Sequence, residues 1–219
     1  MLSFLPSVPQ LITYAIILLT AFPVHEFAHA WTANYFGDTT PRAHGRLTLN
    51  PLAHLDPIGT LLMIVAGFGW AKPVPVNPYV LARRSPAAPM LVSLAGPMSN
   101  LLMAILASTP FRLGLVSTGD IRLVAGEILP SLALFLYLFI SVNLWLMLFN
   151  LLPLYPLDGE KVLDYFLPPA GVRVLENIRP YGAMILTVII FVLPLIGIDV
   201  IGRVVQPVLG LLTRLLIGG

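Results

Sequence analysis

Two histidines and a glutamate stand within five consecutive residues, His25-Glu26-Phe27-Ala28-His29. On a helix, residues four apart share a face, so His25 and His29 can present two ring nitrogens to one metal ion, with Glu26 on the adjoining surface. This is the H-E-x-x-H spacing of zinc-dependent hydrolases, in which zinc lowers the pKa of a bound water toward about 7 and the glutamate takes its proton as general base. The five residues lie inside an apolar segment from Leu11 to about Phe36. Ionisable side chains in a membrane-length apolar segment are costly and mark a functional site. The alternative, two satisfied core histidines and a buried glutamate, would place an ionisable trio in lipid without a function to offset the cost.

A catalytic zinc takes three protein ligands and keeps one position open, so a third ligand must come from elsewhere. Asp158 fits best. It follows an apolar span, and Pro153 and Pro156 ahead of it break the helix and turn the carboxylate inward. Glu160, Asp164, His54 and Asp56 are the alternatives, and His54 is the most serious of them. His44 reads as a solvated loop histidine. Asn100 and Asn150 lie in apolar segments, where an amide is often an interhelical hydrogen-bonding group.

The elements that must position these groups follow from composition and hydropathy. With 58% hydrophobic and 10% charged residues among 219, and a mean hydropathy of +0.91, the chain lacks the polar surface of a soluble domain of its size. It reads as a single all-α polytopic membrane domain over 1–219. A formal charge of +2 and a pI near 9.1 rest on so few groups that no nucleic-acid partner is expected. The absence of cysteine excludes disulfides, Cys-ligated zinc and thiol catalysis. Met1 to Gln10 has no basic n-region, so the first span is expected to be retained.

Four spans are predicted: Leu11 to Phe36, about 39 Å as a helix, then 87–109, 131–152 and about 181–198. Pro23, just ahead of the pentad, predicts a kink or local opening, or else an ordinary membrane-helix proline. Ile58 to Phe68 is too short to span and suits a re-entrant or buried segment. Alternating Val and Pro in 73–78 forbid a helix and permit an extended edge strand or short β hairpin near 70–80, able to pair with an extended peptide. The tail from Asp199 is either an interfacial helix or a fifth crossing. Eight of the twelve Lys and Arg residues fall in 37–86 and 153–180, which puts those regions, and with them His25, His29 and Asp158, toward the cytoplasm.

At this point the residues resemble a family. His25-Glu26-Phe27-Ala28-His29 with Asn150-Leu151-Leu152-Pro153-Leu154-Tyr155-Pro156-Leu157-Asp158-Gly159 is similar to the paired signature of the site-2 proteases, the intramembrane zinc metalloproteases. Gly96-Pro97-Met98-Ser99-Asn100, and Asn50 to Pro57 followed by Gly69-Trp70-Ala71-Lys72-Pro73-Val74, resemble the short prokaryotic branch, which lacks PDZ-like and CBS-like domains. The resemblance implies one zinc per chain held by His25, His29 and Asp158, with Glu26 as base and Asn150 at the substrate or its developing oxyanion. Asn100 and His54 are set beside Asn150 as further substrate or oxyanion contacts. It implies a multi-pass protein of the cell membrane that cuts membrane-spanning segments of other proteins within the bilayer. Glu160, where many members have a second glycine, is a departure at the local turn. A metal transporter would spread ionisable groups along a path, and a catalytically silent segment-binding relative would not need Glu26. No serine elbow of the rhomboid kind appears.

Overall fold

Ser7, Pro9 and Gln10 set the start of the first helix. In the computed structural model of the chain, which describes residues 7–57, 59, 71–122 and 128–218, α1 is Val8–Tyr35. The Gln10 carboxamide oxygen accepts from the Ser7 backbone N–H at 2.9 Å, and Pro9 sits in the first turn, where a missing N–H costs nothing. The helical run is unbroken through Pro23, which has no N–H to give the Leu19 carbonyl. Gly37, at φ +90°, terminates the element in a conformation side chains avoid.

Further α-helices among the described residues are α2 Thr40–Ala43, α3 Pro78–Arg84, α4 Ala88–Arg112, α5 Leu132–Asn150, α6 Asp158–Phe166, α7 Pro169–Ile196 and α8 Val200–Ile217. The Ser131 hydroxyl caps α5 by accepting from the Leu134 N–H at 3.2 Å, and Asp199 caps α8 by accepting from the Gly202 N–H at 2.7 Å. Helix α7 changes winding along its length, with a π-helical turn at Val188–Val192. Among the described residues five helices, α1, α4, α5, α7 and α8, are long and apolar enough to cross a membrane. The protein has an all-α polytopic membrane fold. The tail left open by the sequence forms the fifth of these helices, because Arg203 and Arg214 both lie exposed on its surface and leave its apolar side intact.

Helix α4 is the hub, packed on α1 along one side and α5 along the other. Ala104 and Phe111 of α4 join Ala133, Ile140, Leu144 and Met147 of α5 in a buried cluster that Leu209, Leu212 and Leu216 of α8 close. Ile17 and Ala21 of α1 meet Leu146 of α5. Ala21, Ala30, Ala33, Ala88 and Ala104 have no exposed surface, and such small residues let helix backbones approach closely where lipid supplies no hydrophobic drive. By contrast Met184, Phe191, Leu195, Val204, Val208 and Leu211 on α7 and α8 face outward.

The edge strand expected near 70–80 is not formed among the described residues. An isolated antiparallel bridge joins Leu55 and Ala71, supported by the Lys72 N–H donating to the His54 carbonyl at 2.7 Å, and 72–77 carry no strand. Pro73 and Pro75 have no N–H with which to extend a ladder. The re-entrant segment predicted at 58–68, and Gly69-Trp70, lie outside the described residues apart from Gly59.

Candidate metal centre

The turn of α1 from His25 to His29 faces α4, and His25, Glu26 and His29 are all buried. The two Nε2 atoms stand 3.0 Å apart. Asp158 is the first residue of α6 and arrives from the far end of the core through the loop after α5. Its Oδ2 lies 3.3 Å from His25 Nε2 and 3.3 Å from His29 Nε2. The loop can bring it there because Gly159 follows it: a Cβ at Gly159 would stand 2.2 Å from the Leu151 carbonyl oxygen. His25, His29 and Asp158 offer three ligand atoms within 4.8 Å of one another, a group that could hold a metal ion.

The outer nitrogens of both rings are held from α4. His29 Nδ1 donates to the Val92 carbonyl at 2.7 Å, and His25 Nδ1 meets the Asn100 Oδ1 at 2.6 Å. A backbone carbonyl only accepts, so the His29 proton is on Nδ1 and its Nε2 presents a lone pair. Two such lone pairs and a carboxylate oxygen crowded together repel one another unless a cation sits among them. Gly96 of α4 supplies the room, since a Cβ there would lie 2.3 Å from His29 Nε2 and 2.6 Å from His25 Cε1. The residues therefore fit a metal: two imidazoles with their remaining N–H groups engaged, one anion, and a cradle that any side chain at 96 would fill. Glu26 makes neither hydrogen bond nor ion pair to a described residue.

The other residues singled out in the sequence lie in different settings. Asn150, half-buried at the end of α5, donates through Nδ2 to the Leu146 carbonyl at 2.9 Å. Asn100 has no exposed surface, and its amide is taken up by His25 and by Asn143. His54 is fully buried in the segment after α2, where Nε2 donates to the Thr48 carbonyl at 2.7 Å, and it is not part of the metal-ligand group. Asp56 accepts from the Gly59 N–H at 2.8 Å. Glu160 is buried and paired with Arg179 of α7, whose Nε donates to Oε1 at 2.8 Å, while Asp164 stands 4.0 Å from Arg179. His44 is exposed, with Nδ1 donating to the Thr40 carbonyl.

In the sequence Gly96 stands only as part of the Gly96–Asn100 motif, Asn143 as an amide of an apolar span and Arg179 as a loop cation, so none of them, nor the Val92 carbonyl, is tied to the histidine–aspartate group. One signal was available. Asn143 is an amide in a 19-residue apolar helix, seven residues and so two turns from Asn150. The Val92 carbonyl leaves no trace in side-chain identity.

Fold and site together define a polytopic helical membrane protein with a buried group of two histidines and one carboxylate that could hold a metal ion, beside a buried glutamate. The sequence is 45% identical over 188 residues, 85% of this chain and 83% of the relative, to "Putative zinc metalloprotease YwhC" of Bacillus subtilis. It is 34% identical to "Putative zinc metalloprotease Rip2" of Mycolicibacterium smegmatis over 78% of this chain, and 33% identical to Rip2 of Mycobacterium tuberculosis over 80%. The aligned region spans 64% and 65% of those two relatives' lengths. No protein-family model matches the sequence, and no solved structure matches it. The chain belongs to the family of zinc metalloproteases that contains YwhC.

Proposed function

We propose that the protein is a zinc-dependent intramembrane endopeptidase of the site-2 protease type, hydrolysing peptide bonds in or near membrane-spanning segments of other proteins. The observation that carries this reading is the convergence of His25 Nε2, His29 Nε2 and Asp158 Oδ2 at a buried point on a helix long and apolar enough to cross a membrane. One zinc ion per chain would be held by His25, His29 and Asp158, and when bound it supplies Lewis-acid polarisation and an acidified water. Glu26, adjacent to His25 and without a hydrogen bond to any described residue, accepts a proton from the attacking water and passes it to the leaving amine. Asn150 retains one amide hydrogen beyond its bond to the Leu146 carbonyl, and donates it to the peptide oxygen as negative charge develops there. Asn100 and His54, grouped with it on sequence grounds, are assigned no substrate contact, since the one is committed to His25 and Asn143 and the other is fully buried.

A helical peptide hides its carbonyls in hydrogen bonds, so the substrate segment unwinds before it is cut. Val74 and Val76, whose backbone forms no ladder among the described residues, are the edge this reading assigns to the extended segment. The Lys and Arg distribution supports a cytoplasmic-facing site in the cell membrane. Replacing Glu26 with Gln is expected to slow cleavage of a model membrane substrate in detergent by about 10²-fold or more while zinc stays bound. A variant that cuts as fast as the parent would show the mechanism to be wrong. Asp158→Ala is expected to lose zinc on dialysis, measured as metal content per chain, and unchanged content would remove Asp158 from the ligand set.

A further inference from the structure

Asn100 on α4 and Asn143 on α5 have no exposed surface. Amides at such depth are costly unless their donors and acceptors are matched, and here the matching runs in one direction. Asn143 Nδ2 donates to the Phe139 carbonyl, one turn earlier on α5, at 2.9 Å. That bond turns the Asn143 oxygen toward α4, where it accepts from Asn100 Nδ2 at 2.9 Å. The Asn100 oxygen is thereby left facing α1, 2.6 Å from His25 Nδ1.

The sense of this chain decides where the His25 proton resides. An amide oxygen accepts only, so with Asn100 in this orientation the proton is on Nδ1 and Nε2 is a bare lone pair aimed at His29 and Asp158. Were the Asn100 amide reversed, its NH2 would face Nδ1, the proton would move to Nε2, and that nitrogen could not ligate. His29 has no such freedom, because its partner is the Val92 carbonyl. His25 is the ligand whose tautomer depends on another side chain being held the right way round.

We propose that Asn143 is a positioning residue for the metal centre: by fixing the orientation of the Asn100 amide it sets the His25 tautomer, so a ligand on α1 is made competent from α5. Two asparagines serving only to bind α4 to α5 would need no partner on the far side of Asn100, whereas here its oxygen ends on His25. The inference rests on the metal-site reading above, but it makes a claim about the metal-free protein as well.

The test uses the full chain in detergent, labelled with 15N-histidine. With four histidines the ring-nitrogen signals can be assigned by single substitutions. In the metal-stripped parent, His25 is expected to be protonated at Nδ1, and a parent protonated at Nε2 overturns the proposal before any Asn143 variant is made. In Asn143→Leu the Nε2-protonated form should appear, and zinc affinity, measured by competition with a chelating dye, should fall about 10- to 100-fold, the range found when outer-shell partners of metal ligands are lost. The double variant Asn100→Asp/Asn143→Leu should recover most of that affinity, since a carboxylate accepts from His25 through either oxygen. A loss that Asn100→Asp does not recover, or an Asn143→Leu protein with the parent's tautomer and affinity, reduces Asn143 to packing. The tautomer measurement needs neither zinc nor substrate, so failure of this relay is distinguishable from failure of the protease reading.

Discussion

The two halves of the candidate metal centre are built differently. His25 and His29 ride on one continuous helix and are pinned from α4, by the Asn100 oxygen and the Val92 carbonyl, within the inner packing of α1, α4 and α5. Asp158 sits where a loop becomes α6, a helix that packs on α4 and is braced in addition from α7. Glu160, two residues on, is clamped by Arg179 of α7, and Gly182 of α7 lies so close that a Cβ would stand 2.6 Å from the Tyr155 carbonyl oxygen. The imidazole pair is thus held within the inner helices alone, whereas the carboxylate's loop and helix are braced by α7 as well as by α4. Rigid elements hold ligands more closely than loops do, so a loop-borne ligand needs a brace.

That contrast can be broken from either side. Gly96→Ala attacks the imidazole half and should have the largest effect. The new methyl carbon would occupy the cradle 2.3 Å from His29 Nε2 with helix α4 behind it, so zinc content should drop to background while helicity by circular dichroism persists. Arg179→Gln attacks the carboxylate half. It leaves Glu160 buried without its charge partner, and because the arginine is itself 38% exposed the loss is set at about 2 kcal/mol. Thermal unfolding should shift down, and zinc affinity should weaken by less than in Gly96→Ala, through displacement of Asp158 alone. If Arg179→Gln instead strips zinc as completely as Gly96→Ala, the two halves are not separately supported. Leu195→Ala, on the outward surface of α7 at 85% exposed, should change stability by no more than about 0.5 kcal/mol in detergent and leave metal content unchanged.

The glycines illustrate why part of this was hidden. Gly96, Gly159 and Gly182 all stand where a Cβ would collide, with ligand rings, the Leu151 carbonyl and the Tyr155 carbonyl respectively. In the sequence, glycine among apolar residues signals close helix approach without saying what approaches. Arg179 likewise reads as one of the cytoplasmic basic residues, and its bond to Glu160, 19 positions away, exists only once α6 and α7 have folded against each other. The Val-Pro run at 73–78 was legible as non-helical, but prolines state only what the backbone cannot donate, and no ladder forms there among the described residues.

The sequence by itself determined the membrane-spanning character, the helical class and the pairing of His25 with His29, because apolar length and i, i+4 spacing act within a single helix and need no partner. It also pointed to Asp158, through the prolines that end α5, while leaving Glu160, Asp164, His54 and Asp56 open. The tertiary structure brings Asp158 to 3.3 Å from both imidazoles and sets Glu160 against Arg179. Only packing could turn Asn100 and Asn143 from two polar residues in apolar helices into an oriented chain ending on His25. Their contacts join positions 75 and 43 residues apart, and the direction of an amide between helices is set by what lies on each side of it.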